Sequence, residues 1–301
     1  MEVVFDFIIY FYLGVVGMYG IHALHNWQRV RRSPVALGSF CILMLSWGVM
    51  FYGSFIEPRM LVVKQEEMVL SQQSTQTLRM VVLSDIHAGP FKKQDWVQRV
   101  VDNAMNLEPD IIVILGDFVV QSADDAQYLT PLSGLAAPYG VYAVTGNHEY
   151  HAQAVWEVLK TLRTAGIDVI ENEIRSIDVN GKTLHLAGVS DIWFDGDLKK
   201  TLTDVQPEQN VILLAHNPDA VLDPETQNVD AVFAAHTHGG QIRLPWIGPI
   251  ARIPTQLGQS YDKGWFTYNG INLFITSGVG ESGTRARLFN PPELVQMNVQ
   301  F

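Results

Sequence analysis

"FAAHTHGGQI", residues 233–242, sets two imidazoles one residue apart directly after an apolar run and follows them with two glycines. The residues leading into it, Val229 to Ala235, are short and apolar enough to form a buried strand, which puts His236 where that strand ends. Side chains two apart on a strand share a face, so His236 and His238 point the same way. Taken alone, the pair has three readings: metal ligands, a stacked core pair, or loop residues without a task. The choice depends on what the other strands end in.

Apolar runs at 79–83, 111–115, 141–144, 184–189, 211–215, 229–235 and 271–276 predict buried strands. Helix-like segments at about 94–106, 124–135 and 151–165 lie between them, which predicts an α/β fold. "RMVVLSDIHAG" ends in Asp85 and His87, and "DIIVILGDF" in Gly116 and Asp117. "VYAVTGNHEY" ends in Asn147, His148 and Glu149, and "NVILLAHNPD" in His216. Ligand sites in open α/β sheets collect beyond the carboxyl ends of the strands. One histidine at a strand end is most often structural. Five strand ends that each deliver oxygen or imidazole donors are not five independent accidents.

The motifs D-x-H, G-D, G-N-H-E, H and H-T-H, in this order, resemble those of the calcineurin-like metallophosphoesterase superfamily. "GNHEY", "LLAHNPD", "HTHGGQIRLP" and the closing "TSGVGESGTRARLFNPPEL" resemble more narrowly its bacterial membrane-associated branch. The similarity covers Leu78 to Phe301, about three quarters of the chain. It implies a two-sheet β-sandwich flanked by helices, a four-layer fold, with a two-metal centre on the strand-end loops. Asp85, His87 and His238 match the ligands of the first metal, and Asp117 the carboxylate that bridges both. Asn147, His216 and His236 match the ligands of the second metal. His148 matches the histidine that faces the substrate, and Glu149 completes the motif as a supporting or structural residue. On this reading the alternate histidines serve two different ions, and the glycines let the backbone turn tightly below them.

Imidazole and carboxylate without thiolate suit manganese first, with iron or zinc next. Two such ions lower the pKa of a bridging water and clamp phosphoryl oxygens, so the expected chemistry is hydrolysis of a phosphodiester or pyrophosphate by a metal-bridging hydroxide. His148 would donate to the phosphoryl oxygen or the leaving alkoxide. Many relatives carry an acidic residue shortly after the G-D motif, where this chain has Val120, and that departure touches the same loop. Beyond the ligands, Arg285 and Arg287 are candidates to reach a phosphate, with surface arginines as the plainer reading. Asp191 ends another strand and is a candidate to line the cleft, while His151 and His185 read as solvated or structural.

Elsewhere the composition narrows the function. The chain has 301 residues, a net charge of −11 and a single cysteine, Cys41. No broad basic surface is available for a nucleic-acid backbone, which weighs against the superfamily's nucleases. One cysteine excludes an internal disulfide framework and a thiolate zinc cluster. A metallo-β-lactamase-like reading needs D-H soon after H-x-H, and "HTHGGQ" lacks it. A non-enzymatic binding module on the same fold would tolerate a degraded ligand set, and here the set is complete.

Phe7 to Leu24 and Val35 to Ile56 contain no Asp, Glu, Lys or Arg. Each is near the roughly 20 residues that a helix needs to cross a bilayer. They predict a transmembrane hairpin over 1–57, a linker or first edge strand over 58–77, and the phosphoesterase domain over 78–301. Arg29, Arg31 and Arg32 in the connector place that loop in the cytoplasm and the catalytic domain on the far side of the cell membrane. Tethering makes a lipid-linked or cell-envelope phosphoester a plausible substrate. "IRLPWIGPI", around Trp246, reads either as a greasy rim for a lipid tail or as a hairpin packed on its own core.

Overall fold

The computed structural model describes residues 2–70 and 76–301. The "SQQST" part of the expected linker, residues 71–75, lies outside them. The strands, in chain order, begin with β1 (Val62–Val69), β2 (Thr77–Leu83), β3 (Ile111–Leu115), β4 (Val141–Val144) and β5 (Asp168–Val169). There follow β6 (Glu173–Val179), β7 (Lys182–Gly188), β8 (Asn210–Leu214), β9 (Ala231–Ala234), β10 (Arg243–Leu244) and β11 (Gly248–Pro249). The last are β12 (Gly264–Tyr268), β13 (Ile271–Ile275) and β14 (Glu293–Gln300). One sheet runs in the order β1-β14-β2-β3-β4-β5 and the other β12-β13-β9-β8-β7-β6, while β10 and β11 form a separate hairpin.

Strand periodicity sorts the side chains into layers. Met80, Val82, Ile111, Val113 and Leu115 share one buried core with Leu186, Ile212, Leu214, Phe233 and Phe274, so the two sheets pack face to face. The alternate residues Val81, Leu83, Ile112 and Ile114 bury against Val97, Val100 and Ala104 of the helix Gln94–Met105. On the far side, Leu213, Val232 and Leu273 meet Leu198, Leu202 and Val221 from short helical segments. The result is a helix–sheet–sheet–helix sandwich. Burial on both faces is why β2, β3 and β8 read as unbroken apolar runs. Each such side chain contributes roughly 1.5–3 kcal/mol when fully buried.

Several elements differ from the sequence-based expectation. The segment expected as a helix at 124–135 is a 3-10 stretch, Ala123–Gly134, with Pro131 inside it; proline lacks the N–H that an α-helix would need there. The segment expected at 151–165 starts earlier, as Asn147–His151, breaks at Gln153 with a left-handed φ of 52°, and resumes as Val155–Thr164. β6, β12 and β14 are not marked by continuous apolar runs, since polar residues on their less covered positions interrupt them. β1 pairs in parallel with β14, from Val62↔Glu293 to Val69↔Gln300, and forms the edge of its sheet.

Register places the functional ends together. Leu83 pairs with Ile114 and Leu115 with Val144 in the first sheet, and Leu214 pairs with Phe233 in the second. The C-terminal ends of β2, β3, β4, β8 and β9 therefore open on one side of the sandwich.

Ahead of the sandwich, helices Glu2–His25 and Pro34–Phe51 lie side by side, and the second continues through a π turn, Tyr52–Ile56. Both are long and apolar enough to cross a membrane. They close on each other where Gly17 faces Trp47 and Gly20 faces Met44, and Trp47 Nε1 donates to the Leu13 carbonyl at 2.9 Å. Phe7, Phe11, Met18, Val35, Ile42 and Leu45 remain exposed, so these are not core helices of the sandwich.

Candidate metal centre

Five strand-end loops converge. Asp85, His87, Asp117 and His238 form one group of donors and Asp117, His216 and His236 another, each with ligand atoms within 4.8 Å of one another. Asp117 belongs to both groups. Its Oδ1 accepts the His148 backbone N–H at 2.8 Å, which leaves Oδ2 at 3.1 Å from His216 Nε2 and 3.5 Å from His87 Nε2. His238 Nε2 lies 3.3 Å from Asp85 Oδ1 and 3.1 Å from His87 Nε2, and His236 Nδ1 lies 3.2 Å from His216 Nε2.

Local backbone geometry aims these side chains. Asp85, His87, Asp117, His236 and His238 all sit at φ between 46° and 67°. The left-handed region costs most residues about 1 kcal/mol or more and is visited most readily by Gly, Asn, Asp and His. Tertiary hydrogen bonds hold them there: Asp85 N donates to the Gly116 carbonyl at 3.0 Å, and His87 N to the Asp117 carbonyl at 3.1 Å. Gly239 and Gly240 follow with φ of 56° and 74°, turning the chain below His238.

The donor set fits a cation. Both Asp85 oxygens and Asn147 Oδ1 are buried without a hydrogen-bond partner, and the converging ring nitrogens, His87 Nε2 with His238 Nε2 and His236 Nδ1 with His216 Nε2, crowd to 3.1–3.2 Å. Leaving such a group unsatisfied costs about 1–3 kcal/mol, so this concentration needs a further occupant. Burial, reinforced by nearby imidazoles, pulls His87 and His236 down to about 3, and it pushes Asp85 up to about 6. The imidazoles are thus neutral and carry lone pairs for coordination. For His216, burial opposes charge but the adjoining Asp117 carboxylate overrides it, raising the ring to about 10. His216 Nδ1 donates to the Leu115 carbonyl at 2.6 Å, so Nε2 is the atom turned to Asp117. A divalent ion would take the place of that proton.

Glu149 is fully buried and does not face the cleft. Its carboxylate accepts from the backbone N–H groups of Gly146 (2.7 Å), Phe118 (2.7 Å), Asp117 (3.2 Å) and Val119 (3.4 Å), clasping the G-D loop to the G-N-H-E loop. Burial and the Asp117 charge raise it to about 8, against the pull of those donors. The two loops pass so closely that a Cβ on Gly146 would lie 2.6 Å from Asp117 N and collide with its Oδ1. Gly146→Ala should therefore lower stability by about 1–3 kcal/mol, the usual cost of overpacking, as read by urea unfolding. Unchanged stability would show that the loops can part.

A cleft of about 500 Å³ opens over Asp117, Asn147, His148, His236 and His238. His148 Nδ1 donates to the Val120 carbonyl at 3.0 Å, so Val120 serves this loop through its backbone. His148 Nε2 turns to Ser282 Oγ at 3.2 Å. Ser282, Arg252 and Trp193 line the cleft, and Trp193 packs edge-on against His236 at 4.6 Å between ring centroids. None of the three stood out in the sequence. Ser282 follows the end of β13, the one strand end whose loop was read for its arginines alone.

Those arginines have other tasks. Arg287 is fully buried, where a surface position was the plainer expectation; its guanidinium donates to the carbonyls of Ser277, Gly278, Gly280 and Asn290 at 2.6–3.2 Å. It cannot reach a phosphate in the cleft. Arg287→Ala should cost about 3–5 kcal/mol, as for removal of one partner from a buried charge cluster, seen as a loss of folded protein in denaturant titration. Arg285 stands beside His87 but pairs with Asp6 at 3.1 Å and donates to Tyr10 Oη at 3.3 Å, both on the first helix. Asp191 is buried and not among the cleft-lining residues; its Oδ1 accepts from Trp193 N at 3.0 Å. His185 contacts Ser176 at 3.0 Å on the β6–β7 pair, away from the centre. His151 lies near Phe194, with centroids 5.2 Å apart.

Comparison with known proteins agrees with this geometry. The profile of the calcineurin-like phosphoesterases matches residues 78–240. A Caenorhabditis elegans protein carrying the metallophosphoesterase name is 33% identical over 240 residues, 74% of this chain and 48% of that protein. An uncharacterized metallophosphoesterase of Aquifex aeolicus is 32% identical over 234 residues, 74% of this chain and 85% of its own length. A Bos taurus transmembrane protein with metallophosphoesterase domain is 34% identical over 244 residues, 75% of this chain and 54% of that protein. The chain thus spans about half the length of the worm and bovine relatives. With its motifs on converging strand ends and more than half its length matched, this chain belongs to the calcineurin-like phosphoesterase family.

Proposed function

We propose that the chain is a membrane-anchored hydrolase of phosphoesters, a phosphodiester or pyrophosphate foremost, working with two divalent ions. The observation that carries this is Asp117, whose carboxylate stands in both donor groups beside the buried, unpartnered oxygens of Asp85 and Asn147. Asp85, His87, His238 and Asp117 would hold one ion, and Asn147, His216, His236 and Asp117 the other. Manganese suits these ligands, with iron or zinc as alternatives. The ions would supply a water of lowered pKa and neutralise phosphoryl charge.

The protein's own groups do the rest. Bound against Asn147 and His148, a phosphoryl group would meet an amide and an imidazole ring. The Val120 carbonyl keeps a proton on His148 Nδ1 and turns Nε2 to the cleft. Entering the step as the imidazolium, with both ring nitrogens protonated, His148 would give its Nε2 proton to the leaving alkoxide as the alkoxide's bond to phosphorus breaks and be left as the neutral Nδ1–H ring, while Ser282 Oγ steadies it. Trp193 packs edge-on against the His236 ring and limits its rotation.

Residues 1–57 are proposed as the anchor, residues 58–77 as the linker or first edge strand, and residues 78–301 as the catalytic domain. Exposed apolar helices and the bovine relative's transmembrane name support the anchor. The arginines of the connector favour a cytoplasmic loop and an extracytoplasmic domain. A reporter that works on one side only, fused after Phe301, tests the orientation; activity in the cytoplasm overturns it. For the reaction, purified full chain is stripped with chelator, reloaded with manganese, iron or zinc, and assayed on a chromogenic monoester, a chromogenic diester and a lipid pyrophosphate. Metal-dependent turnover of the diester or pyrophosphate is expected. A metal-loaded protein inert to all three would refute the hydrolase reading.

A further inference from the structure

The β10–β11 hairpin does not bury its apolar tip. Trp246 is 103% exposed, Ile247 74% and Ile250 58%, and Leu244 is also open to solvent. This answers the sequence alternative against a hairpin packed on its own core. Trp246 adopts a left-handed φ of 65°, in a turn where Gly or Asn would be the unstrained choice. A strained backbone that displays an indole to solvent is the kind of departure that marks a contact site. The hairpin also lies beyond the residues matched by the family profile, which end at 240.

Its base joins two places at once. On one side, Ile242 and Ile250 line the candidate cleft, and Ile250 N donates to the Ile242 carbonyl at 3.1 Å. On the other, Arg243 N donates to the Leu288 carbonyl at 2.9 Å, and Leu288 N to the Gln241 carbonyl at 3.0 Å. The segment carrying Leu288 receives the end of the second apolar helix. Arg287 N donates to the Gly53 carbonyl at 2.9 Å, Phe289 N to Glu57 at 3.0 Å, and a Cβ on Gly53 would lie 3.8 Å from Leu288 Cβ. Arg285 pairs with Asp6, at the start of the first helix. At about 3.3 Å per residue, the tip can stand no more than about 10 Å from Arg243. The exposed Phe289 extends the apolar surface along the same seam.

We infer that the β10–β11 hairpin dips Trp246 and Ile247 into the interface of the bilayer that holds the two N-terminal helices. The inference rests on the proposed anchor. Tryptophan suits the headgroup level, where its ring is buried and its N–H stays hydrated. The cleft then opens at the lipid surface, and its substrate class is an amphiphilic phosphoester whose apolar part remains in the bilayer along Ile250 while the phosphate reaches the donors.

Full-length chain carrying Cys41→Ser and Trp246→Cys, labelled at the new thiol with an environment-sensitive NBD dye, tests this in phosphatidylcholine–phosphatidylglycerol vesicles. The same label at Glu208→Cys, in the loop before β8 at the opposite end of the sheet from the centre, is the aqueous control. Expected are blue-shifted emission at position 246 and quenching by doxyl-labelled lipid at least several-fold above that at position 208. Flotation of the same vesicles reads the anchor separately. Chain that floats with a dye at 246 as wet as at 208 overturns the hairpin inference and leaves the anchor standing. Chain that fails to float overturns both. A blue shift without lipid quenching would assign the tip to a second copy or another protein surface and also refutes the inference. Trp246→Ser/Ile247→Ser should further lose activity at least tenfold on a vesicle-borne ester and retain it on a soluble chromogenic diester; an equal loss on both would count against a role in lipid access.

Discussion

Asp117→Ala is expected to empty the centre. Among the described residues no other side chain stands in both donor groups, so one substitution removes a ligand from each. The damage goes beyond the missing ligand, because Asp117 Oδ2 is also what His216 Nε2 faces at 3.1 Å. Without that carboxylate, only the weaker pull of Asp85 and Asp191 opposes burial at His216, and the largest support for its raised proton affinity disappears. Loss of metal affinity should exceed the roughly 10–100-fold that follows from disturbing an outer-shell partner. Metal analysis of purified protein after exhaustive dialysis checks this, with thermal unfolding to show that the fold survives. A variant that keeps both ions contradicts the shared-carboxylate assignment, and one that keeps a single ion shows that the two groups bind independently.

The second large effect belongs to His148. His148→Ala should lower kcat by roughly 10²–10⁴-fold, the range for a positioned acid–base group, while metal content stays at the wild-type level. The two readouts separate because the residue has two roles in different atoms. Its backbone N–H orients Asp117 Oδ1 at 2.8 Å and survives the substitution. Its ring, set by the Val120 carbonyl and edge-on to His87 at 4.5 Å, is what turns to the cleft. The change should fall on kcat more than on KM, and added imidazole should restore part of the rate. Normal turnover in a metal-replete His148→Ala protein would remove the residue from the chemistry; loss of metal would make it structural.

Much of the fold could be read from one kind of signal. Strands buried on both faces, β2, β3, β8 and β9, announce themselves as unbroken apolar runs, because sheet and helix layers leave no polar face. β6 and β14 do not, since one side of each is open, and Lys64, Gln65 and Glu66 make the edge strand β1 resemble a linker. The donors were legible because all of them follow such runs at short spacing. Arg287 was misread for the opposite reason. Its environment consists of four carbonyls from its own loop region and Glu281 at 3.7 Å, and a burial created by long-range packing has no local sequence mark. Arg252 reaches the cleft from between two recognised motifs, and Ser282 from inside the closing one, where the arginines drew the reading, so nothing in their immediate sequence set them apart.

The amino-acid order by itself determined which side chains could serve as ligands and which strand ends would carry them, since hydrophobic periodicity and donor chemistry are local properties. Only the tertiary structure decided that the ends of two different sheets share one side of the sandwich and that one carboxylate oxygen faces histidines from both. It also decided that five of the donors take left-handed backbone conformations, which are held by hydrogen bonds between loops distant in the chain. The exposure of Trp246 belongs to the same class. An apolar tip is written in the sequence, but whether anything covers it depends on how the sheets and the N-terminal helices pack around its base, and they leave it bare.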